Sequence, residues 1–179
     1  MKTFLKWLQE DKTMGNYVCI DATDQSNMFK QLGLKQPTTG VAPPNKDYHC
    51  TLMYSKDSNV LPHKILSDLE NIFPNAIIAD VIGFDCFDSL PEAGVRDEAK
   101  SCIVMKLNSP VLVNIHNWLK TQRMSHSYDE FRPHVTLRYN MSVEEAHKYK
   151  SKLDVALQKS PRSVILSGYK SDKIDTNYV

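Results

Sequence analysis

The sequence predicts an α+β fold built as two duplicated β-α-β-α-β lobes whose antiparallel sheets face a central cleft. Three observations predict it: two nearly identical segments, the same order of strand and helix patterns around each, and a composition suited to one packed core. The segments are His49-Cys50-Thr51-Leu52-Met53-Tyr54 and His134-Val135-Thr136-Leu137-Arg138-Tyr139, both of the form His-x-Thr-Leu-x-Tyr. In a chain with only 6 His, chance seldom supplies one His-x-Thr triplet, let alone two followed by matching Leu and Tyr. The two His lie 85 positions apart, and Tyr17 carried forward by that offset lands on Cys102, inside the corresponding strand of the second half.

Residues 15–22 are apolar and β-rich and read as the first strand, and Asp24 can cap a short helix running through Leu32 to Gly33. Residues 35–47 carry Pro37, Gly40, Pro43 and Pro44 and read as a loop leading into the first His-x-Thr strand. From Leu61 to Phe73, the apolar residues Leu61, Ile65, Leu66, Leu69, Ile72 and Phe73 recur at helical spacing. Residues 76–87 then read as a long strand. The second half repeats the order: strand 101–107, helix 110–123 opened by Pro110, strand 134–139, helix 142–157 with Ser142 and Glu145 as a capping box, and strand 163–169. Units this small need each other's packing, so residues 1–179 are expected to form one domain with pseudo-twofold lobes at about 15–87 and 101–170.

Composition narrows the function. Lys and Arg number 22 against 21 Asp and Glu, a net charge of +1, so no global basic field points to long nucleic acid. Hydrophobic residues make up 41%, enough for a real core in a single domain. Phe4, Leu5, Trp7 and Leu8 are interrupted by Lys2, Lys6 and Glu10, so the first residues read as neither a signal peptide nor a membrane span. Cys19, Cys50, Cys86 and Cys102 fall in apolar, strand-like runs without metal-ligand spacing, which reads as buried, reduced thiols in a cytoplasmic protein. His63, His116, His126 and His147 show no ligand spacing and read as ordinary helix and loop residues. Neither a metal nor another cofactor is expected.

Alternation along a strand puts His49 and Thr51 on one face, and His134 and Thr136 likewise. Two such strands across a groove supply a general base, a general acid and two hydroxyl donors for phosphate, a hydrolytic site that needs no metal. The same alternation puts Arg138 on the His134 face, where it either contacts phosphate or stands as a solvated sheet-edge side chain, with Met53 in the equivalent place. It puts Tyr54 and Tyr139 with Leu52 and Leu137 on the core side.

The paired His-x-Thr segments resemble the 2H phosphoesterase superfamily, which is defined by two such motifs on facing β-lobes. The likeness spans roughly residues 15–170. The Gly-x-Tyr-Val strand at Gly15–Val18 and the block Phe131-x-Pro133-His134-Val135-Thr136-Leu137-x-Tyr139 are most similar to the bacteriophage anti-CBASS nucleases, which cleave cyclic oligonucleotide alarms of bacterial defence. That resemblance implies His49 and His134 as the acid–base pair, Thr51 and Thr136 on the non-bridging phosphate oxygens, and Tyr17 against ribose or base. It implies a phosphodiesterase acting on 3′-5′ bonds of cyclic di- and trinucleotides such as cyclic GMP-AMP, located in the host bacterial cytoplasm. The expected partner is the small cyclic oligonucleotide, with no long nucleic acid, membrane or obligate protein partner. The long loops at residues 35–47 and 88–100 suit closure over such a compact ligand. Two alternatives share the residues: a phosphodiesterase of 2′-5′ oligoadenylate or 2′,3′-cyclic RNA ends, and a non-catalytic protein that sequesters cyclic nucleotides.

Overall fold

The computed structural model describes residues 15–23, 29, 32, 48–56, 60–89, 98–126, 130–159 and 162–174. Six strands and three helices lie among them. They run β1 (Gly15–Thr23), β2 (His49–Ser55), α1 (Pro62–Ile72), β3 (Ala76–Ser89), β4 (Lys100–Asn108), α2 (Pro110–Thr121), β5 (His134–Met141), α3 (Val143–Leu157) and β6 (Ser163–Ile174). The expected helix after Asp24 and the Pro-rich loop at 35–47 fall outside the described residues, apart from Phe29 and Leu32, both buried in the core.

Local chemistry accounts for the helices. Pro62 and Pro110 open α1 and α2 at a position where no N–H is needed. Ser142 caps α3 by accepting from the Glu145 N–H, which is the first half of the expected capping box, while the Glu145 carboxylate accepts from the Ser142 hydroxyl. Each helix turns one apolar stripe inward: Ile65 and Leu69 from α1, Leu112, Ile115 and Leu119 from α2, Ala146 and Leu153 from α3. These stripes lie against β6, β2 and the β3–β4 pair respectively.

The fold is α+β as expected, and its strands pair antiparallel throughout in a closed barrel of order β1-β2-β5-β4-β3-β6. The expected lobes kept β3 with the first half, but β3 pairs with β4 and β6, and β6 pairs with β1 and β3. Each half therefore lends its last strand to the other. Exchanging the halves leaves the cyclic order unchanged, and the β2–β5 pair meets at Cys50 and Val135, two positions 85 apart.

Bulges recur at corresponding places. In β2 the register skips Leu52, and in β5 it skips Leu137, again 85 apart. In β6 it skips Gly168, and in β3 it skips Ile82 beside Gly83, with both glycines at positive φ. The Gly168 bulge carries β6 on to Ile174, five residues beyond the end that its apolar pattern suggested. Ion pairs follow suit with reversed polarity: Asp21 holds Lys170, while Lys106 lies 3.8 Å from Asp85, the equivalent positions.

Two glycines should respond differently to alanine. A Cβ at Gly15 would collide with the Ser55 backbone, whereas one at Gly168 meets open space and is penalised only by its φ of +77°. Urea unfolding should show Gly168→Ala losing about 1 kcal/mol, the ordinary left-handed penalty. Gly15→Ala should lose more, up to about 3 kcal/mol from overpacking. Equal losses would contradict the close β1–β2 approach.

Candidate active site

The single junction between β2 and β5 builds the site. With Cys50 opposite Val135 in an antiparallel pair, Thr51 comes beside His134 and His49 beside Thr136. The four side chains named from the sequence are thus brought together, each His next to the other motif's Thr. Thr51, His134 and Thr136 line a cavity of about 610 Å³. His49 is buried, packs edge-on to Tyr17 with ring centroids 5.9 Å apart, and lies near enough that its charge opposes protonation of His134.

Tyr17 also stands where the sequence placed it. From β1 its hydroxyl meets the Thr51 hydroxyl at 3.1 Å, and it lines the same cavity. Burial pushes its phenol far above the ordinary tyrosine range, so the group stays a neutral hydrogen-bond donor at every working pH.

The bulges overturn two assignments. Strict alternation sent Tyr54 and Tyr139 to the core, but the extra residues Leu52 and Leu137 reverse the facing beyond them, so both tyrosines line the cavity. Tyr139 hydrogen-bonds Thr136, and burial raises its pKa in turn. The same reversal removes Arg138 from the phosphate: it is exposed on the other face, its guanidinium 5.0 Å from the centre of the Tyr149 ring in α3. Met53, its counterpart, is fully buried in the core.

The protonation state of His134 follows from its surroundings. Its Nδ1 lies 2.6 Å from the Arg132 carbonyl oxygen, which can only accept, so Nδ1 carries the hydrogen and Nε2 is the basic nitrogen of the neutral ring. Burial, opposed by that hydrogen bond, moves its pKa below the usual histidine value. Phe87 packs edge-on against the same imidazole at 5.0 Å.

The rest of the wall comes from residues that the sequence reading gave no role in the site: Phe87, Cys102, His126, Glu130, Phe131 and Arg132. Cys102 was findable, because it stands at the 85-residue counterpart of Tyr17. The expectation of four buried thiols holds for Cys19 and Cys50, whose pKa values burial pushes up to about 12, while Cys86 and Cys102 are only half-buried; none of the four is in a disulfide. Among the described residues no three His, Cys, Asp or Glu converge as metal ligands, and no helix is long and apolar enough to cross a membrane.

Comparison with known proteins places the chain in a family. A family model described as anti-CBASS protein Acb1 matches residues 14–163, from the start of β1 to the start of β6 and across both His-x-Thr strands. The anti-CBASS protein Acb1 of Vibrio phage KVP40 (isolate Vibrio parahaemolyticus/Japan/Matsuzaki/1991) is 28% identical over 134 residues, covering 72% of this chain and 75% of the phage protein. With the family match extending over most of its length, the chain belongs to the anti-CBASS protein Acb1 family.

Proposed function

We propose that the protein is a metal-independent phosphodiesterase of the 2H type that cleaves 3′-5′ bonds of cyclic di- and trinucleotide messengers, such as cyclic GMP-AMP, and so defeats CBASS immunity. The observation that carries this reading is the β2–β5 junction, which brings the two repeated motifs side by side, with Thr51, His134 and Thr136 lining one cavity and His49 buried against Tyr17 beside it. That cavity, about 610 Å³, suits a compact nucleotide rather than a long strand. Family membership supports the anti-CBASS role. The unchanged strand order on exchanging halves and the paired bulges support a duplicated origin.

His134 is the base. Neutral, with its Nδ1 hydrogen held by the Arg132 carbonyl, it takes the ribose 2′-OH proton on Nε2 while O2′ attacks phosphorus and the P–O5′ bond breaks. His49 delivers a proton to the departing O5′, leaving a 2′,3′-cyclic phosphate. Water then opens that ring with the two roles exchanged. Thr51 and Thr136 donate to the non-bridging oxygens as charge develops there. Tyr17 and Tyr139, kept neutral by burial, orient those hydroxyls.

Chromatography of products from cyclic di- and trinucleotides tests the reading. His49→Ala and His134→Ala should each lower kcat on the order of 10²- to 10⁴-fold, the usual worth of one proton transfer. Thr51→Val and Thr136→Val should cost less, and EDTA should leave turnover intact. Products formed only from 2′-5′ oligoadenylate, or ligand recovered intact, would exclude the proposed reaction. Arg138→Ala should keep kcat/KM within about twofold of wild type, because its guanidinium lies on the other face.

The pH dependence has a definite sign. Burial lowers the pKa of His134, so the acid limb of kcat/KM should lie below the unperturbed value of about 6.5. His116 and His126 are lowered by burial as well. Each of the three favours the neutral form in the fold, so its contribution to stability is full above about pH 6.5 and is lost as the pH falls through the lowered value. Melting temperatures at pH 7.5 and 5.5 should show the drop, and a higher melting temperature at pH 5.5 would contradict it.

A further inference from the structure

His116 belongs to neither motif, yet it touches the approaches to both. It sits on α2 and is 4% exposed. Its Nδ1 lies 2.8 Å from the Leu52 carbonyl oxygen, and a carbonyl only accepts, so the ring donates. Leu52 is the bulged residue of β2, the one that the β1 register skips. A bulged residue falls out of the ladder, and the imidazole supplies it with a donor from the side. Its neighbour Thr51 is thereby fixed in direction.

The other side of the same ring stacks on Phe131, with centroids 4.1 Å apart and planes at 3°. Phe131 opens the short segment Arg132-Pro133 that delivers His134, and the Arg132 carbonyl in that segment sets the His134 tautomer. Pro133 is tied to β4 by the Leu107 N–H at 2.9 Å. His126 closes the cluster edge-on to His116 at 4.6 Å, and both His126 and Phe131 form cavity wall.

We propose that His116 is a positioning residue of the active site, one buried imidazole that braces the Thr51 strand through the Leu52 carbonyl and the His134 approach through Phe131. The brace matters because β2 and β5 share a single register pair, Cys50 with Val135, so little backbone holds the two motifs at a fixed separation. Its effect on turnover rests on the phosphodiesterase reading above; its mechanical part does not. Displacing a reacting group by about 1 Å can cost on the order of 10²-fold in rate.

Three variants separate the contacts. His116→Phe keeps the stack and loses the donor, His116→Asn keeps an amide donor toward Leu52 and loses the stack, and Phe131→Leu keeps apolar volume without the ring. With 3′,3′-cyclic GMP-AMP, His116→Phe should lower kcat about 10- to 100-fold with KM within about threefold. His116→Asn should recover a large part of that loss. Amide hydrogen exchange without ligand should quicken locally, in residues 51–54 for His116→Phe and in residues 131–136 for Phe131→Leu. Unchanged exchange and kcat in folded variants would overturn the brace, as would a uniform quickening over the whole barrel. A wild-type protein that cleaves no cyclic nucleotide, together with the local exchange pattern in the variants, would refute the phosphodiesterase and uphold the brace.

Discussion

Closing the barrel between β2 and β5 is the constraint on which the rest of the structure depends. The closure uses one backbone pair, Cys50 with Val135, and antiparallel geometry then dictates that each His meets the other motif's Thr. Immediately beyond that pair the strands bulge at Leu52 and Leu137. The two Leu side chains stay in the core at 0% and 1% exposure, while the residues after them are re-aimed. A cavity opens where the ladder stops, because strands that no longer pair must diverge. The site is thus a consequence of how the sheet closes, and not an addition to a finished scaffold.

Much of this was legible in the sequence. The repeated His-x-Thr segments and the 85-residue offset singled out four side chains that the structure brings together, and helical spacing, a proline and a capping signal placed the three helices among the described residues within about two positions. What the sequence concealed was the bulges, because a bulge is set by cross-strand packing and leaves no fixed mark in the residues that form it. One skipped residue per strand was enough to put Tyr54 and Tyr139 into the cavity and Arg138 out of it. The repeat itself held the missed clue. Tyr was matched in both motifs as faithfully as His and Thr, which core packing alone does not require. The pairing of β3 with β4 and β6 was hidden for another reason: periodicity reports that a strand exists, not which neighbour it takes.

Electrostatics divide the site where topology nearly unites it. The Asp21–Lys170 and Lys106–Asp85 pairs occupy equivalent positions with their charges exchanged. In the register of the barrel, Asp21 is the strand partner of His49 and Lys106 that of His134. These exposed and half-exposed pairs contribute little to stability. Their interest lies in the reversal itself, which distinguishes two otherwise matched halves.

An asymmetry between the two halves thus lies one strand away from the motifs. The sequence suggested Arg138 against Met53 as the odd pair, but both point away from the cavity, and neither can bias a proton there. Around His134 the structure shows burial, which lowers its pKa, and the Arg132 carbonyl that holds its Nδ1 hydrogen. The bulges and the His-x-Thr strands stay matched between the halves, while the ion pairs beside them are reversed and the surroundings of His134 are its own.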